Sequence, residues 1–372
     1  MGGGCARGME SPLKYFAELT DPRVERTKEH LLQEILFITI AAVLCGAETW
    51  NDIELFGKTK PPWLATFLRL PGGIPSHDTF NRVFCALDPE ELEVCFVAWV
   101  RDVARLHDGE VVSLDGKTIR GSRQAGKKAI VHLVSAWANA NNLVLAQRKV
   151  ADKSNEITAI PKLLRVLELS GTVVTIDAIG CQRSIAQQIV DKKADYILAV
   201  KENQGHLLEE MKDSFRMLPA TAIAEETDCG HGRVERRTCS VIDDRTLLEK
   251  ASAWAGLQSL VRIQAERFHK ASGEIERETR YYISSLPPEA KRLNRAIRQH
   301  WGIENSLHWV LDVAFHEDQS RKRAGHAAQN FSLINRIALN LLKNDQSTKI
   351  GIRGKRLAAG WDNKFLLSLL QN

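Results

Sequence analysis

The chain has 372 residues, with 51 Lys plus Arg against 46 Asp plus Glu and a formal net charge of +5 at neutral pH. Apolar residues make up 44% and charged residues 26%, which excludes wholesale disorder and a fibrous repeat. The longest apolar run, Ile35 to Cys45, is shorter than the ~20 residues a membrane-spanning helix needs. The first residues, MGGGCARGMESP, lack the charged-then-apolar pattern of a secretory signal, so the expectation is a cytoplasmic protein. Seven cysteines, none in a Cys-x-x-Cys pair, fit free thiols in a reducing compartment.

Charge is unevenly spread. Residues 1–95 carry 9 basic and 14 acidic side chains, 96–204 carry 16 and 11, 205–285 carry 12 and 14, and 286–372 carry 14 and 7. A polyanion would be drawn to the second and fourth segments, although a solvated basic surface gives the same count.

Residues 10–105 read as helical. Leu31 to Ala47 is dense in apolar residues without a proline, and Phe80, Val83, Phe84 and Leu87 form an i, i+3, i+4, i+7 stripe. Ser76 opens that helix after the Pro71–Pro75 turn, and a further helix runs from about Pro89 to Leu106. The period then shortens. Val111 to Asp115 reads as a buried strand ending in Asp-Gly, and Ile130–Trp137 and Leu143–Val150 as two more strands. A helix over Thr158–Leu169, a strand Gly171–Asp177, a helix Gln182–Lys193 and a strand Tyr196–Val200 follow. This order predicts an α/β layer arrangement. After one helix near His206–Leu218, residues to 285 alternate like strands, as in Arg233–Ile242, Leu260–Phe268 and Thr279–Ser284. Glu289–Val313 and His326–Lys343 return to a helical period. The chain thus divides into a helical region (10–105), a first α/β part (108–204), a strand-rich insertion (205–285), a second helical part (286–345) and a tail (346–372).

Asp115 and Asp177 each close an apolar strand, the end of an open α/β sheet where ligands gather. Two neighbouring carboxylates repel and are costly to bury unpartnered, and a divalent cation removes both problems. The competing reading is a plain turn at Asp115-Gly116 and a helix cap at Asp177. On a helix over 293–313, Glu304 falls in line with Leu293, Ile297 and Leu311, with His300 and His308 one turn to either side. A carboxylate in an apolar stripe needs a partner. A surface Glu304–histidine cluster is the alternative, and zinc on His300, Glu304 and His308 is conceivable only with ligands from other elements, because the three span two turns of ~5.4 Å each. Three carboxylates suit Mg²⁺ or Mn²⁺ better than zinc, and two such ions ~3.5–4 Å apart serve phosphodiester chemistry. Asp312 and Asp318 are alternative acids, with Asp312 off the Glu304 stripe. Cys229, His231, Cys239 and His269 match no common zinc spacing.

Several ordered motifs carry a family resemblance: FAELTDPR (16–23), GIPSHDTFNRV (73–83), SLDGKTIRGS (113–122), TIDAIGCQ (175–182), VKENQ (200–204), HWGIENSLHWVLD (300–312) and FHEDQSR (315–321). From about Tyr15 to Leu370 the sequence resembles bacterial insertion-sequence DDE transposases of the H-repeat-associated, ISAs type. The resemblance implies an RNase H-like catalytic core with a strand-rich insertion before the last catalytic helix. It implies that Asp115, Asp177 and Glu304 are the catalytic, metal-holding trio. It implies DNA as partner, both terminal inverted repeats and target, and a homodimer on paired ends. The expected chemistry is cleavage and joining of phosphodiester bonds at element ends. A catalytically silent DNA-binding derivative and an RNase H-like metal-dependent nuclease are the alternatives. Where the broader superfamily often has tyrosine, arginine and lysine around the glutamate, this sequence has Ile297, His300 and Leu311. Candidate DNA contacts are Lys117, Arg120 and Arg123, with Lys127 and Lys128 beside them; Lys201, Asn203 and Gln204; and Arg298, His300 and Arg321, with Arg295 and Arg323 as further substitutes.

Overall fold

The computed structural model describes residues 12–123, 130–151, 154–230 and 232–371. Lys127, Lys128 and His231 lie outside the described residues.

The N-terminal region is helical: α1 (Leu32–Leu44), α2 (Trp50–Thr59), the single turn α3 (Pro61–Leu64), α4 (His77–Ala86) and α5 (Pro89–Val103). Local capping chemistry starts α2, α4 and α5. Thr49 and Asp52 form a reciprocal capping box on α2, the Ser76 hydroxyl accepts the Thr79 N–H on α4, and Asp88 precedes Pro89 on α5. Twelve of the 13 residues of α1 are buried, so α1 is the helix the others wrap. Its one buried carboxylate, Glu34, accepts the backbone N–H groups of Arg69 and Leu70 at 2.7 and 3.0 Å, which meets the cost of burying it.

A nine-stranded sheet follows, in the order β3-β2-β1-β4-β5-β9-β8-β7-β6. Its strands are β1 (Val111–Ile119), β2 (Val131–Ala138), β3 (Leu143–Lys149), β4 (Val173–Ile176), β5 (Asp195–Val200), β6 (Ala222–Gly230), β7 (Arg233–Ile242), β8 (Ser259–His269) and β9 (Ile275–Ser284). The first three are antiparallel, while β4 and β5 run parallel to β1. That half is the RNase H-like core. Helices α6 (Glu156–Val166) and α7 (Arg183–Asp191) make the parallel crossovers, and α8 (Gly205–Met217) leads out of β5. Strands β6 to β9 do not stand apart: β9 pairs antiparallel with β5 and continues the sheet.

After the sheet come α9 (Ala290–His300), α10 (Trp309–Ala314) and α11 (Ala327–Asn344). On one face, α9 sets Leu293 and Ile297 against Val111, Val173 and Ile197 in a small second core. The larger core joins the other face to α1, α5 and α11. Two features differ from the sequence reading. Residues 293–313 are not one continuous helix, because Glu304–His308 form a π-helical segment between α9 and α10. The segment 346–372, read as a tail, carries α12 (Ile352–Trp361) and α13 (Asn363–Gln371). The buried Arg356 Nε donates to the Val43 carbonyl at 3.0 Å, a second donor to an oxygen at the end of α1 that also accepts the Gly46 N–H.

Candidate active site

The parallel register of β1 and β4 sets the first two carboxylates. Its last pair is Leu114 with Ile176, so Asp115, still within β1, and Asp177, the first residue past β4, come next where the two strands lie about 4.8 Å apart. Alternation puts both side chains on the sheet face that also carries Ser113 and Thr175. That face looks at α9: the Thr175 and Ser113 hydroxyls meet at 3.1 Å, and Thr175 Oγ1 lies 2.9 Å from His300 Nδ1. β1 does not stop at Asp115 as its Asp-Gly step suggested but continues to Ile119, with Asp115 opposite Ser135 of β2.

Glu304 enters from the π-helical segment, a helix irregularity frequent at functional sites. Its side chain is 56% exposed, which corrects the expectation of a carboxylate embedded in an apolar stripe. Its partner is His308, whose Nδ1 lies 3.1 Å from Glu304 Oε2 and 3.5 Å from Asp115 Oδ2. One donor atom each from Asp115, Glu304 and His308 falls within 4.8 Å of the others. Asp177 is outside that triplet. Its Oδ1 accepts the Ile179 N–H at 3.1 Å and caps the turn Ala178–Gly180. The cap reading and the site reading thus fall on the same residue.

Electrostatics describe a crowded acidic centre. Burial pushes the Asp115 carboxyl up to about 6, with Asp177 and Glu156 adding to the rise and His308 opposing it. Burial also raises Asp177, again with Glu156 contributing, while Lys201 acts against it. Glu304 is held below its ordinary value by the His308 hydrogen bond. Burial lowers the His300 imidazole to about 4, so it is neutral at pH 7.

Glu156 and His308 are the residues that sequence reasoning did not assign. Glu156, the first residue of α6, has an oxygen 2.6 Å from His132 Nε2. It reaches the centre across Gly116, where any Cβ would collide with the Glu156 carboxylate. Only its place at the start of the helix that follows the two strands after β1 could have flagged it. His308 was visible as the i+4 neighbour of Glu304.

The expected DNA contacts separate into groups. Arg120, Arg123, Lys201 and Arg321 are exposed. Lys117 is turned inward at 8% exposure, onto Asp312 at 2.6 Å and Asp318 at 3.7 Å, and is not presented to a phosphate. The same bridge occupies Asp312. His300 faces Thr175 rather than solvent. Arg298 pairs with Asp228 of β6. Asn203 donates to the Ala178 carbonyl at 2.6 Å and Gln204 to the Cys181 carbonyl at 2.8 Å, so both tie down the turn after Asp177.

Comparison with known proteins identifies the arrangement. The family model described as "Transposase DDE domain" matches residues 106–341, and that described as "DDE_Tnp_1-associated" matches residues 13–100. The chain belongs to the DDE transposase family. "Putative transposase YncI" of Escherichia coli O157:H7 is 42% identical over 370 residues, covering 97% of this chain and 95% of that protein. "H repeat-associated putative transposase YhhI" of Escherichia coli (strain K12) is 39% identical over 373 residues, covering 96% and 97%. Among solved structures, a piggyBac transposase synaptic complex with hairpin DNA aligns with a TM-score of 0.46 at 12% identity, covering 98% of this chain and 76% of that one. The resemblance read from the motifs is borne out. Family membership brings dependence on a divalent metal. Among the described residues no helix is long and apolar enough to cross a membrane.

The donor set fits such an ion. Asp115, Asp177 and Glu304 offer hard carboxylate oxygens, and the buried His308 Nε2 has no hydrogen-bond partner among the described residues.

Proposed function

We propose that this chain is a DNA transposase that cleaves and joins phosphodiester bonds at the ends of its insertion element, with Asp115, Asp177 and Glu304 holding Mg²⁺ or Mn²⁺. The observation that carries the reading is the juxtaposition of three acids from distant points in the chain. Asp115 and Asp177 each follow the last paired residues of the parallel β1–β4 ladder, Leu114 and Ile176, and Glu304 lies near Asp115 through His308, which supports the reading. Divalent ions held there would activate the attacking hydroxyl and neutralise charge on the leaving oxygen.

The chain's own residues do the rest. His308 aligns Glu304 with Asp115, and Asn203 and Gln204 fix the turn behind Asp177. Exposed Arg120, Arg123, Lys201 and Arg321 hold the DNA backbone. The working assembly in this reading is a homodimer on paired ends. The folding units are 10–105, a core formed by 108–204 with 286–345, and the insertion 205–285, with the last helices packed back on α1.

The test uses purified protein, Mg²⁺ or Mn²⁺, and a plasmid carrying the element's terminal repeats. The parent chain nicks the ends and joins them to target DNA. Asp115→Asn, Asp177→Asn and Glu304→Gln each lose cleavage while keeping DNA affinity within about twofold. Full cleavage by all three variants overturns the assignment. Cleavage without joined product would instead mark a simple nuclease.

A further inference from the structure

The centre holds a fourth acid that the three-carboxylate reading leaves unused. Glu156 opens α6, and its side chain is only 13% exposed. Its place is fixed from two sides. His132 Nε2 lies 2.6 Å from Glu156 Oε1, and His132 Nδ1 lies 2.7 Å from the Thr118 hydroxyl, so the imidazole ties the carboxylate to β1 and β2. One turn along the same helix face, Ile160 rests against the turn that Asp177 caps: a Cβ on Gly180 would come 3.2 Å from Ile160 Cδ1. The first turn of α6 therefore bridges Gly116, the neighbour of Asp115, and Gly180, three residues past Asp177.

Strand lengths open the way between them. β1 runs on to Ile119, while its ladder with β4 ends at Leu114 and Ile176. Beyond Leu114 that edge of β1 has no strand beside it among the described residues, and Gly116 adds no side chain there. A carboxylate arriving with α6 can thus approach both Asp115 and Asp177. Electrostatics agree. After burial, the Glu156 charge is the largest influence on the Asp177 carboxyl, and it also raises Asp115.

Three acids therefore share one partly buried space, and no lysine or arginine pairs with Glu156 among the described residues. An acid in the first turn also suits the helix dipole, but that role explains neither the imidazole brace nor the cleared glycine. Cations do. Two divalent ions carry four positive charges, against three negative charges from Asp115, Asp177 and Glu304. Glu156 supplies the fourth, and its Oε2, a hard oxygen donor, has no hydrogen-bond partner among the described residues.

We propose that Glu156 is a fourth metal-holding carboxylate of the centre, an oxygen ligand outside the three-acid pattern. The inference rests on the transposase reading and on the metal placed at Asp115, Asp177 and Glu304.

The experiment titrates the full chain with Mn²⁺ alone, without DNA. It reads free Mn²⁺ by electron paramagnetic resonance, beside the melting temperature in metal-free buffer. Glu156→Gln keeps a hydrogen-bonding group for His132 and removes the charge. It weakens Mn²⁺ binding at least about tenfold. Its metal-free melting temperature does not fall, because a carboxylate repelled by two neighbours is gone. Mn²⁺ affinity equal to the parent's, whatever the melting temperature, makes Glu156 a structural partner of His132 and overturns the proposal. A second measurement needs no variant. Fe²⁺ with ascorbate and peroxide cuts the parent backbone beside bound metal, and a cut near residue 156 accompanies those near 115 and 177. If Glu156→Gln both melts lower and binds more weakly, these cuts decide, and their absence near 156 overturns the proposal. Asp115→Asn separates the two readings. A parent that binds Mn²⁺ no better than Asp115→Asn sinks the three-acid centre itself. Binding lost in Asp115→Asn but kept in Glu156→Gln sinks only the fourth ligand.

Discussion

Lys117 Nζ lies 2.6 Å from Asp312 Oδ2, and this contact ties the strand bearing Asp115 to the helix that follows Glu304. Lys117 is two residues beyond Asp115 on the same face of β1, and Asp312 is eight residues beyond Glu304. The bridge therefore spans the two elements whose spacing decides whether the carboxylates meet. Asp318 supports it at 3.7 Å.

Lys117→Met removes that strap and leaves Asp312 without its cation. Cleavage falls about tenfold or more, and the metal concentration for half-maximal rate rises. DNA affinity stays within about twofold, because the ammonium does not face solvent. The double exchange Lys117→Asp/Asp312→Lys recovers part of the rate. A Lys117→Met variant that instead loses affinity together with about one unit of salt slope would make Lys117 a phosphate contact.

Asn203 and Gln204 make a second prediction. Their amides hold the Ala178 and Cys181 carbonyls, bracing the turn that Asp177 caps. Asn203→Ala and Gln204→Ala each slow cleavage by about tenfold with DNA binding intact. Gel-shift titration beside single-turnover cleavage separates the effects. A loss of affinity equal to the loss of rate would assign these amides to DNA instead.

Much of this architecture is legible in the chain because periodicity and strand-end carboxylates report on local burial. The helical region, the strand endings at Asp115 and Asp177, and the glutamate before His308 can all be read directly. The failures have physical causes. Gly116 looks like a turn residue, yet it is a strand position kept free of a Cβ so that the Glu156–His132 pair can pack over it. Glu304 seems to fall in an apolar stripe only if the helix is regular, and the π segment turns it outward. Lys117 reads as a DNA cation because its partners are 195 and 201 residues away, a distance no local pattern crosses.

The last two helices read as a tail for the same reason. Arg356 lies 4.3 Å over the Phe315 ring and bonds the Val43 carbonyl, while Lys355 donates to the Leu342 carbonyl at 2.9 Å. Truncation after Asn344 exposes α1, and the shortened chain is expected to be insoluble. Arg356→Met, which keeps the apolar stem, costs about 2–4 kcal/mol through the lost guanidinium hydrogen bonds to the Val43 and Ala314 carbonyls. Urea unfolding measures this, and an unchanged midpoint would show that the helices are dispensable.

Stability carries its own pH signature at Glu93, on the face of α5 that meets β3. Its carboxylate is 4% exposed and 3.2 Å from Arg148 Nε. Burial outweighs that cation and raises the carboxyl to about 7, from 4.5 when unfolded. Between those values the folded chain keeps a proton that the unfolded chain has lost, so stability falls as pH rises through this window, and the penalty is complete above about 7. Glu93→Gln removes the charge and keeps the shape. It stabilises the protein by about 1–3 kcal/mol at pH 8, less whatever attraction to Arg148 is lost, and by much less at pH 5, where Glu93 is already largely neutral in the folded state. Urea titrations at the two pH values decide the matter. An equal gain at both, or a loss at pH 8, would mean that Arg148 holds Glu93 ionised and that the pair stabilises the α5–β3 contact.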